Sequence, residues 1–484
     1  MKILNEILKD IIILESKGNV DTPVSSVSLD SRDIEPHSLF VALIGNVLDG
    51  HSFIDEVVEK GAKVIVHEKD LSEYKSGVTY IKVKDTHEAV GIIASNFYGN
   101  PSKHLKLVGV TGTNGKTTTA TLLHQLFRNL GYKAGMIGTI VNKVNDESYE
   151  AKRTTPDPIS LNKILAEMVD KGCEYVFMEV SSHSISEKRV SGLSFVGGIF
   201  TNLTLDHLDY HKTIESYAEA KKGFFDMIPS SGFAIANIDD DMGEYMLSTT
   251  KAKKYVFGLK NAEVRPMQIL QRSDLCGSDL CGYFNERLET KLIGEFNAYN
   301  ILGIYAVAVL LGQDKEKIKE IIKDLDGAPG RFQAIKNNDG IIGIVDYAHT
   351  PDALENVLKT ANGIKKDGRL IALVGCGGDR DRSKRPIMAR IGYDLADILI
   401  LTSDNPRTEK PEDILMEMQK GLPLEALDKV EIIVDRHMAI EKACSIAKSG
   451  DIILVAGKGH ENYQEVNGVK HHFDDLEELE KYLK

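Results

Sequence analysis

What this chain has little of narrows the field first. Its five cysteines, at 173, 276, 281, 376 and 444, are scattered. Cys276-x4-Cys281 has neither zinc spacing nor a histidine beside it. Reduced, structural thiols are therefore expected, and a disulfide framework is not. No apolar run approaches the roughly 18 residues of a membrane span. The opening residues, Met1-Lys2-Ile3-Leu4-Asn5-Glu6, bring an early acid and no apolar signal segment, so a cytoplasmic chain is expected. Positive charge is in deficit: 59 Lys and Arg face 72 Asp and Glu, a formal net charge of -13. That argues against nonspecific nucleic-acid binding. It also means that an anionic substrate must be met by local cation clusters. Repeats of fixed period and low-complexity tracts are missing too.

The remaining pattern is that of an α/β protein. At 484 residues, 42% hydrophobic and 27% charged, the chain has the length of about three ordinary globular domains. Short apolar runs such as 38–42 and 62–66 alternate with helical stretches over residues 1–100. Turn clusters at Tyr98-Gly99-Asn100-Pro101-Ser102 and Gly327-Ala328-Pro329-Gly330 mark candidate boundaries. Strand-like runs at 105–110, 175–180, 198–201 and 233–236 predict a central, mostly parallel sheet of P-loop type over 101–330. Runs at 341–345, 370–374, 398–401, 431–434 and 452–455 predict a Rossmann-like, doubly wound sheet over 331–484.

The segment Gly109-Val110-Thr111-Gly112-Thr113-Asn114-Gly115-Lys116-Thr117-Thr118 carries the strongest chemical signal. It follows a buried-strand run and opens a helical pattern with Leu122, Leu123, Leu126, Phe127 and Leu130 on one face, closed by Gly131. Glycines let the backbone approach an anion, the first helical amides point at it, and Lys116 adds charge. Thr117 stands where a hydroxyl reaches Mg²⁺. Val110 occupies the first glycine position of the usual motif. The competing reading is an ordinary glycine-rich turn.

Other candidates stand at strand ends, where open α/β sheets bind ligands. Glu179 closes an apolar run and could hold Mg²⁺, or be a solvated acid. The segment 201–211 packs Asp206, His207, Asp209 and His211 after another strand, a weak signal for a cation ligand. Arg331 follows a Pro-Gly turn and could close over a γ-phosphate; a solvated linker arginine is the plainer reading. The loop 375–386 carries Arg380, Arg382, Lys384 and Arg385, four cations in six residues, a local site for an anionic substrate. Ser403-Asp404-Asn405-Pro406-Arg407 and Ala456-Gly457-Lys458-Gly459-His460-Glu461 follow two further strands. Three polar loops at the ends of three strands suggest a substrate site, although each alone is more often a turn.

Together these segments resemble the Mur ligases, the ATP-dependent amide-bond enzymes of bacterial peptidoglycan synthesis. The resemblance spans about residues 24 to 465. It rests on T-G-T-N-G-K-T-T at 111–118, M-E-V-S-S-H at 178–183 and T-N-L-x-x-D-H-L-D-Y-H at 201–211. It continues through G-x-F-N-x-x-N at 294–300, G-R-F at 330–332, D-Y-A-H-T-P-D at 346–352, D-N-P-R at 404–407 and G-K-G-H-E at 457–461. The nearest members add meso-2,6-diaminopimelate to UDP-N-acetylmuramoyl-L-alanyl-D-glutamate, releasing ADP and phosphate in a step of cell-wall biogenesis on which cell shape and division depend. The resemblance implies a muramyl-binding domain at 1–100, an ATP-binding domain at 101–330 and an acceptor-binding domain at 331–484. It implies ATP phosphates on Gly112, Thr113, Asn114, Gly115, Lys116, Thr117 and Thr118, with Asn297 and Asn300 facing adenine. Mg²⁺ would be held by Thr117, Glu179, His207 and a carbamylated Lys221. Without the resemblance, Lys221 and Lys222 read as a solvated helix face. Arg331 and Asp346 would complete the ATP site. The muramyl substrate would meet Ser31, Thr154, Thr155, Ser181 and Arg189. Glu187 stands where some relatives carry glutamine and receives no role. Diaminopimelate would meet Arg380, Asp404, Asn405, Pro406, Arg407, Gly457 and Glu461. A monomer is expected, with no nucleic-acid partner. The alternatives are the same ligase using L-lysine, a ligase like folylpolyglutamate synthase, and a nucleotide-gated binding module without catalysis.

Overall fold

The computed structural model describes residues 1–45, 48–259, 270–272, 277–281, 287–423 and 428–483. The chain forms two compact units. One contains Met1–Gly112, Leu123–Phe200 and Glu215–Val256; the other contains Thr113–Leu122, Thr201–Ile214 and Phe257–Lys484. Cys173, Cys376 and Cys444 are free thiols. The reading of Cys276 and of the Cys281 thiol lies outside the described residues. Among the described residues, no helix is long and apolar enough to cross a membrane.

The first unit holds two larger sheets beside the short antiparallel pair Lys2–Ile3 and Pro23–Val24. The N-terminal sheet runs Ile13–Lys17, Thr79–Val83, Val64–His67, Leu39–Val41, Val27–Ser28, parallel except for its first pair. Helix Thr86–Phe97 covers it, started by Asp85, whose carboxylate accepts from the Glu88 amide. The second sheet is built around five parallel strands in the order Ala134–Ile137, Tyr175–Glu179, Lys106–Thr111, Gly197–Phe200, Phe233–Asn237. These strands are buried on both faces, which is why each reads as a nearly unbroken apolar run. Register pairs Glu179 with Val110 and Phe200 with Thr111, so Glu179 and the start of the glycine loop leave the same edge.

In the second unit the parallel strands lie in the order Ile342–Asp346, Ile452–Ala456, Leu370–Val374, Ile398–Leu401, Val430–Ile432, with Gln333–Lys336 antiparallel at one edge. Side chains alternate between faces. Leu370, Ala372 and Val374 pack under helices Pro351–Ile364, Lys384–Leu395 and Pro411–Gln419. Ile371 and Leu373 pack under Arg436–Ile446 and Asp475–Tyr482. This is the doubly wound sheet that the sequence predicts. Its register aligns Asp346, Ala456, Val374 and Leu401 in one row. The loops that begin after these residues therefore emerge side by side. A fully buried ion pair supports them from below. Arg436 donates to both oxygens of Asp475 at 2.7 Å, and to the carbonyls of Ser403 at 3.3 Å and Ala456 at 3.1 Å.

Candidate active site

Helix Lys116–Asn129 begins directly at the glycine loop. Gly115 adopts φ 82°, and a Cβ there would lie 2.7 Å from Asn300 Oδ1, so only glycine fits. The loop is laced to the segment after Phe200. The Thr113 amide donates to Asn202 O at 2.8 Å, the Asn114 amide to Asn202 Oδ1 at 2.9 Å, and Thr201 Oγ1 to Asn114 O at 2.6 Å. Asn114 Nδ2 donates to Asp352 Oδ2 at 3.2 Å, and Thr119 Oγ1 to Asn300 Oδ1 at 3.3 Å. Lys116 Nζ donates to the loop's own Thr113 carbonyl at 2.7 Å. Asn297 lies one turn before Asn300 on helix Glu295–Leu310, and Asn300 donates to its oxygen at 3.2 Å.

Arg331 is not the solvated linker arginine of the plainer reading. Its guanidinium stacks 4.5 Å over the Tyr347 ring and reaches Thr117 Oγ1 at 3.5 Å. His349 and His460 flank the same ring, at 4.7 Å and 5.0 Å. Burial lowers these imidazoles to about 4 and about 3, with Lys384 and Arg331 the next contributors, so both are neutral at pH 7. Asp346 accepts from the amides of Phe332 at 2.6 Å and Ala348 at 2.8 Å. Burial raises its carboxyl to about 6 despite Arg331.

The strand-end loops of this unit converge as the register requires. The Gly457 amide donates to Asp346 O at 3.0 Å, and a Cβ on Gly457 would lie 2.4 Å from Asp404 Oδ2. Asn405 Nδ2 donates to Glu461 Oε2 at 2.8 Å. Arg407 sits at φ 52°; its guanidinium donates to Gly378 O at 2.8 Å and lies 3.7 Å from Glu465 Oε2. Pro406 packs on Gly378, where a Cβ would meet its carbonyl at 1.9 Å. The four-cation reading of loop 375–386 needs correction. Arg385, fully buried, pairs with Glu409 at 2.8 Å and Glu417 at 2.7 Å. Arg382 pairs with the same two acids, and Lys384 donates to His349 O at 2.8 Å. Glu409 and Glu417 lie 24 and 32 residues beyond Arg385, too far along the sequence for spacing to reveal them. Arg380 is exposed on this loop.

In the first unit, Glu179 is buried, with its oxygens held by Thr139: the amide donates at 2.7 Å and the hydroxyl at 3.1 Å. A Cβ on Gly138 would meet Glu179 Oε1 at 2.5 Å. Thr139 Oγ1 also lies 3.1 Å from Thr154 Oγ1, from which it can accept. Thr155 Oγ1 donates to Glu179 O at 2.8 Å and accepts from the Ser181 amide at 3.2 Å, while Arg189 donates to Thr155 O at 3.0 Å. Glu187 accepts from Arg189 at 2.7 Å and so serves as its counter-charge. Thr154, Thr155, Ser181 and Arg189 thus form one cluster around Glu179. Ser31 lines a cleft of about 1140 Å³ with Phe40, Lys152, Arg153 and Asp157.

Lys221 and Lys222 correct the solvated-face reading: both are buried on helix Ile214–Asp226. Lys221 Nζ donates to Gly112 O at 2.7 Å and lies 4.4 Å above the Tyr217 ring. Lys222 pairs with Glu219 and Asp226, each at 3.3 Å. His207, at φ 55°, has Nε2 3.5 Å from Asp206 Oδ2. Residue-level reading gave no role to Thr139, Asn202, Tyr347, Asp352 or Lys458. All but Thr139 lie inside the motifs quoted above; Thr139 carries no local signal.

Three family descriptions match the chain: "Mur ligase family, catalytic domain" at 23–98, "Mur ligase middle domain" at 110–308 and "Mur ligase, glutamate ligase domain" at 330–459. The chain is 51% identical to the UDP-N-acetylmuramoyl-L-alanyl-D-glutamate–2,6-diaminopimelate ligase of Bacteroides fragilis, covering 99% of this chain and 98% of that protein. A solved structure of a ligase of the same name matches with TM-score 0.71 at 32% identity, over 99% of this chain and 98% of the other. The MurF ligase from Thermotoga maritima in complex with ADP shares the fold, with TM-score 0.63 at 18% identity over 95% and 96%. With half its residues shared along nearly its whole length, the chain belongs to the Mur ligase family.

Proposed function

We propose that this chain joins meso-2,6-diaminopimelate to UDP-N-acetylmuramoyl-L-alanyl-D-glutamate at the expense of ATP, through an acyl phosphate, as a step in peptidoglycan precursor synthesis. The observation that carries the reading is the convergence of Asp404, Glu461, Asn405 and Arg407 at the strand ends of the second unit. An acceptor amino acid offers an ammonium and carboxylates. Two acids and a forked cation held in one place answer both. The division 1–100, 101–330 and 331–484 assigns muramyl binding, ATP binding and acceptor binding in turn.

The roles follow from charge. The γ-carboxylate of D-glutamate must approach the γ-phosphate of ATP, and like charges repel. Lys116 and Arg331 offset that charge, and the amides of 112–118 cradle the phosphates. Asp346 fixes the Phe332 amide and with it the chain next to Arg331. Asn297 and Asn300 take the adenine side. Ser31, Thr154, Thr155, Ser181 and Arg189 hold the muramyl substrate, the last four close to Glu179. Buried carboxylate and hydroxyl oxygens suit Mg²⁺, and Thr117 and Glu179 offer them; His207 is a softer donor in that set. Lys221 as an ammonium has only donors and no lone pair for a cation. It joins the set only as a carbamate. Mg²⁺, when bound, neutralises phosphate charge.

The test is an acceptor screen on the full chain, with UDP-muramyl dipeptide and ATP, read as ADP release. Meso-diaminopimelate should stimulate release and outcompete L-lysine. Release that is indifferent to any acceptor would overturn the ligase reading in favour of a nucleotide-gated module. A preference for L-lysine would overturn the acceptor alone. Arg407 is central to that choice. The far carboxylate that distinguishes diaminopimelate needs a partner if buried, whereas a lysine ammonium would be repelled there. Hydrogen bonds to charged groups contribute roughly 1.5–3 kcal/mol. Arg407→Ala should therefore raise the Michaelis constant for diaminopimelate by about tenfold or more, each 1.4 kcal/mol being tenfold. The constant for ATP should barely move.

A further inference from the structure

Lys458 is fully buried in the acceptor loops. Its ammonium donates to Asn405 Oδ1 at 3.1 Å, to Glu461 Oε2 at 3.3 Å and to the carbonyl of Tyr463. An ammonium has three donors and no acceptor. Asn405 must therefore turn its oxygen to Lys458, where the Glu465 amide also donates at 2.9 Å, and its nitrogen to Glu461. We propose that Lys458 is the positioning residue of the acceptor site: it fixes the Asn405 amide and supplies the counter-charge that lets Glu461, beside Asp404, meet an acceptor's ammonium as a carboxylate. This rests on the acceptor-site reading of these loops.

The surroundings of Glu461 leave this task to Lys458. Burial and the neighbouring Asp404 both push the Glu461 carboxyl above its ordinary value, while Lys458 and Asn405 oppose them. The other groups facing it are poor counter-charges. Tyr347 is raised to about 12 by burial and stays neutral, and His460 is lowered to about 3. Arg436 is committed to Asp475. Arg407 belongs to Gly378 and the Glu465 side. Without Lys458, two buried carboxylates would share a pocket with no ammonium. Glu461, already pushed up by burial and by Asp404, would then take up a proton at a higher pH.

The experiment measures acceptor-dependent ADP release against meso-diaminopimelate across pH for the full chain and for Lys458→Met and Lys458→Gln. In Lys458→Met, the Michaelis constant for the acceptor should rise by about tenfold at neutral pH. The acid limb of its pH profile should move up by about one pH unit or more, with the constant for ATP unchanged. Lys458→Gln keeps a donor for Asn405 but no charge. It should recover affinity at high pH and retain the displaced acid limb. If the methionine chain does not fold, the glutamine chain decides alone. An acid limb that stays in place overturns the proposal. A wild-type chain without acceptor-dependent release would instead overturn the acceptor reading beneath it.

Discussion

Replacing Lys116 with alanine is expected to lower ADP formation by on the order of 10²–10³-fold or more while leaving the fold intact. Removal of one preorganised donor from a developing charge typically costs about that much, and a full cation facing a transferring phosphoryl group should cost no less. The Lys116 ammonium donates inside its own loop, to Thr113 O at 2.7 Å. The loop's shape is set by other groups: the positive φ of Gly112 and Gly115 and the bonds to Asn202, Thr201 and Asp352. ADP release measured beside the thermal unfolding midpoint checks both halves. An unchanged midpoint with lost turnover supports the assignment. Full activity would remove Lys116 from the nucleotide site.

The positions of the buried strands, the doubly wound sheet and the glycine loop are legible in the sequence for a physical reason. Strands buried on both faces must be apolar throughout, and a backbone brought close to a neighbouring side chain must be glycine. Runs such as 370–374 and 398–401 could be marked to the residue on that ground. What was not legible is who pairs with whom. Arg382, Lys384 and Arg385 look like an anion site until Glu409, Glu417 and the His349 carbonyl arrive from elsewhere in the chain. Lys221 and Lys222 look like a wet helix face because their helix is rich in charge. Only the fold shows that the face is covered. The same limit hid Thr139, whose sole distinction is standing at the Glu179 carboxylate. Resemblance supplied a role for Lys221 that periodicity could not, and none for Lys458, whose role emerges from burial and donor counting.

Lys221→Ala is expected to cost on the order of a hundredfold or more in turnover, since loss of a mere supporting partner at a metal site already costs about 10–100-fold. Lys221 is 1% exposed, rises from helix Ile214–Asp226 and meets the carbonyl of Gly112, where the glycine loop begins. As an ammonium it can only donate. Bonded through Nζ to carbon dioxide, with loss of a proton, it becomes a carbamate and offers two anionic oxygens of the kind Mg²⁺ takes. Two readings of its burial then differ in outcome. If Lys221 only buttresses the Gly112 carbonyl, alanine should lower the thermal midpoint, and no small anion should restore activity. If it carries a carbamate, short carboxylic acids such as acetate should enter the space left by the side chain and partly rescue turnover. The same acids should leave the wild-type chain unaffected. Rescue should be saturable in the acid and fall with the size of the acid. A mass measurement of the native chain supplies the second readout, an addition of one carbon dioxide that is lost at low pH. An Lys221→Ala chain that acetate cannot rescue, together with an unmodified native mass, would overturn the carbamate and leave Lys221 as a structural amine.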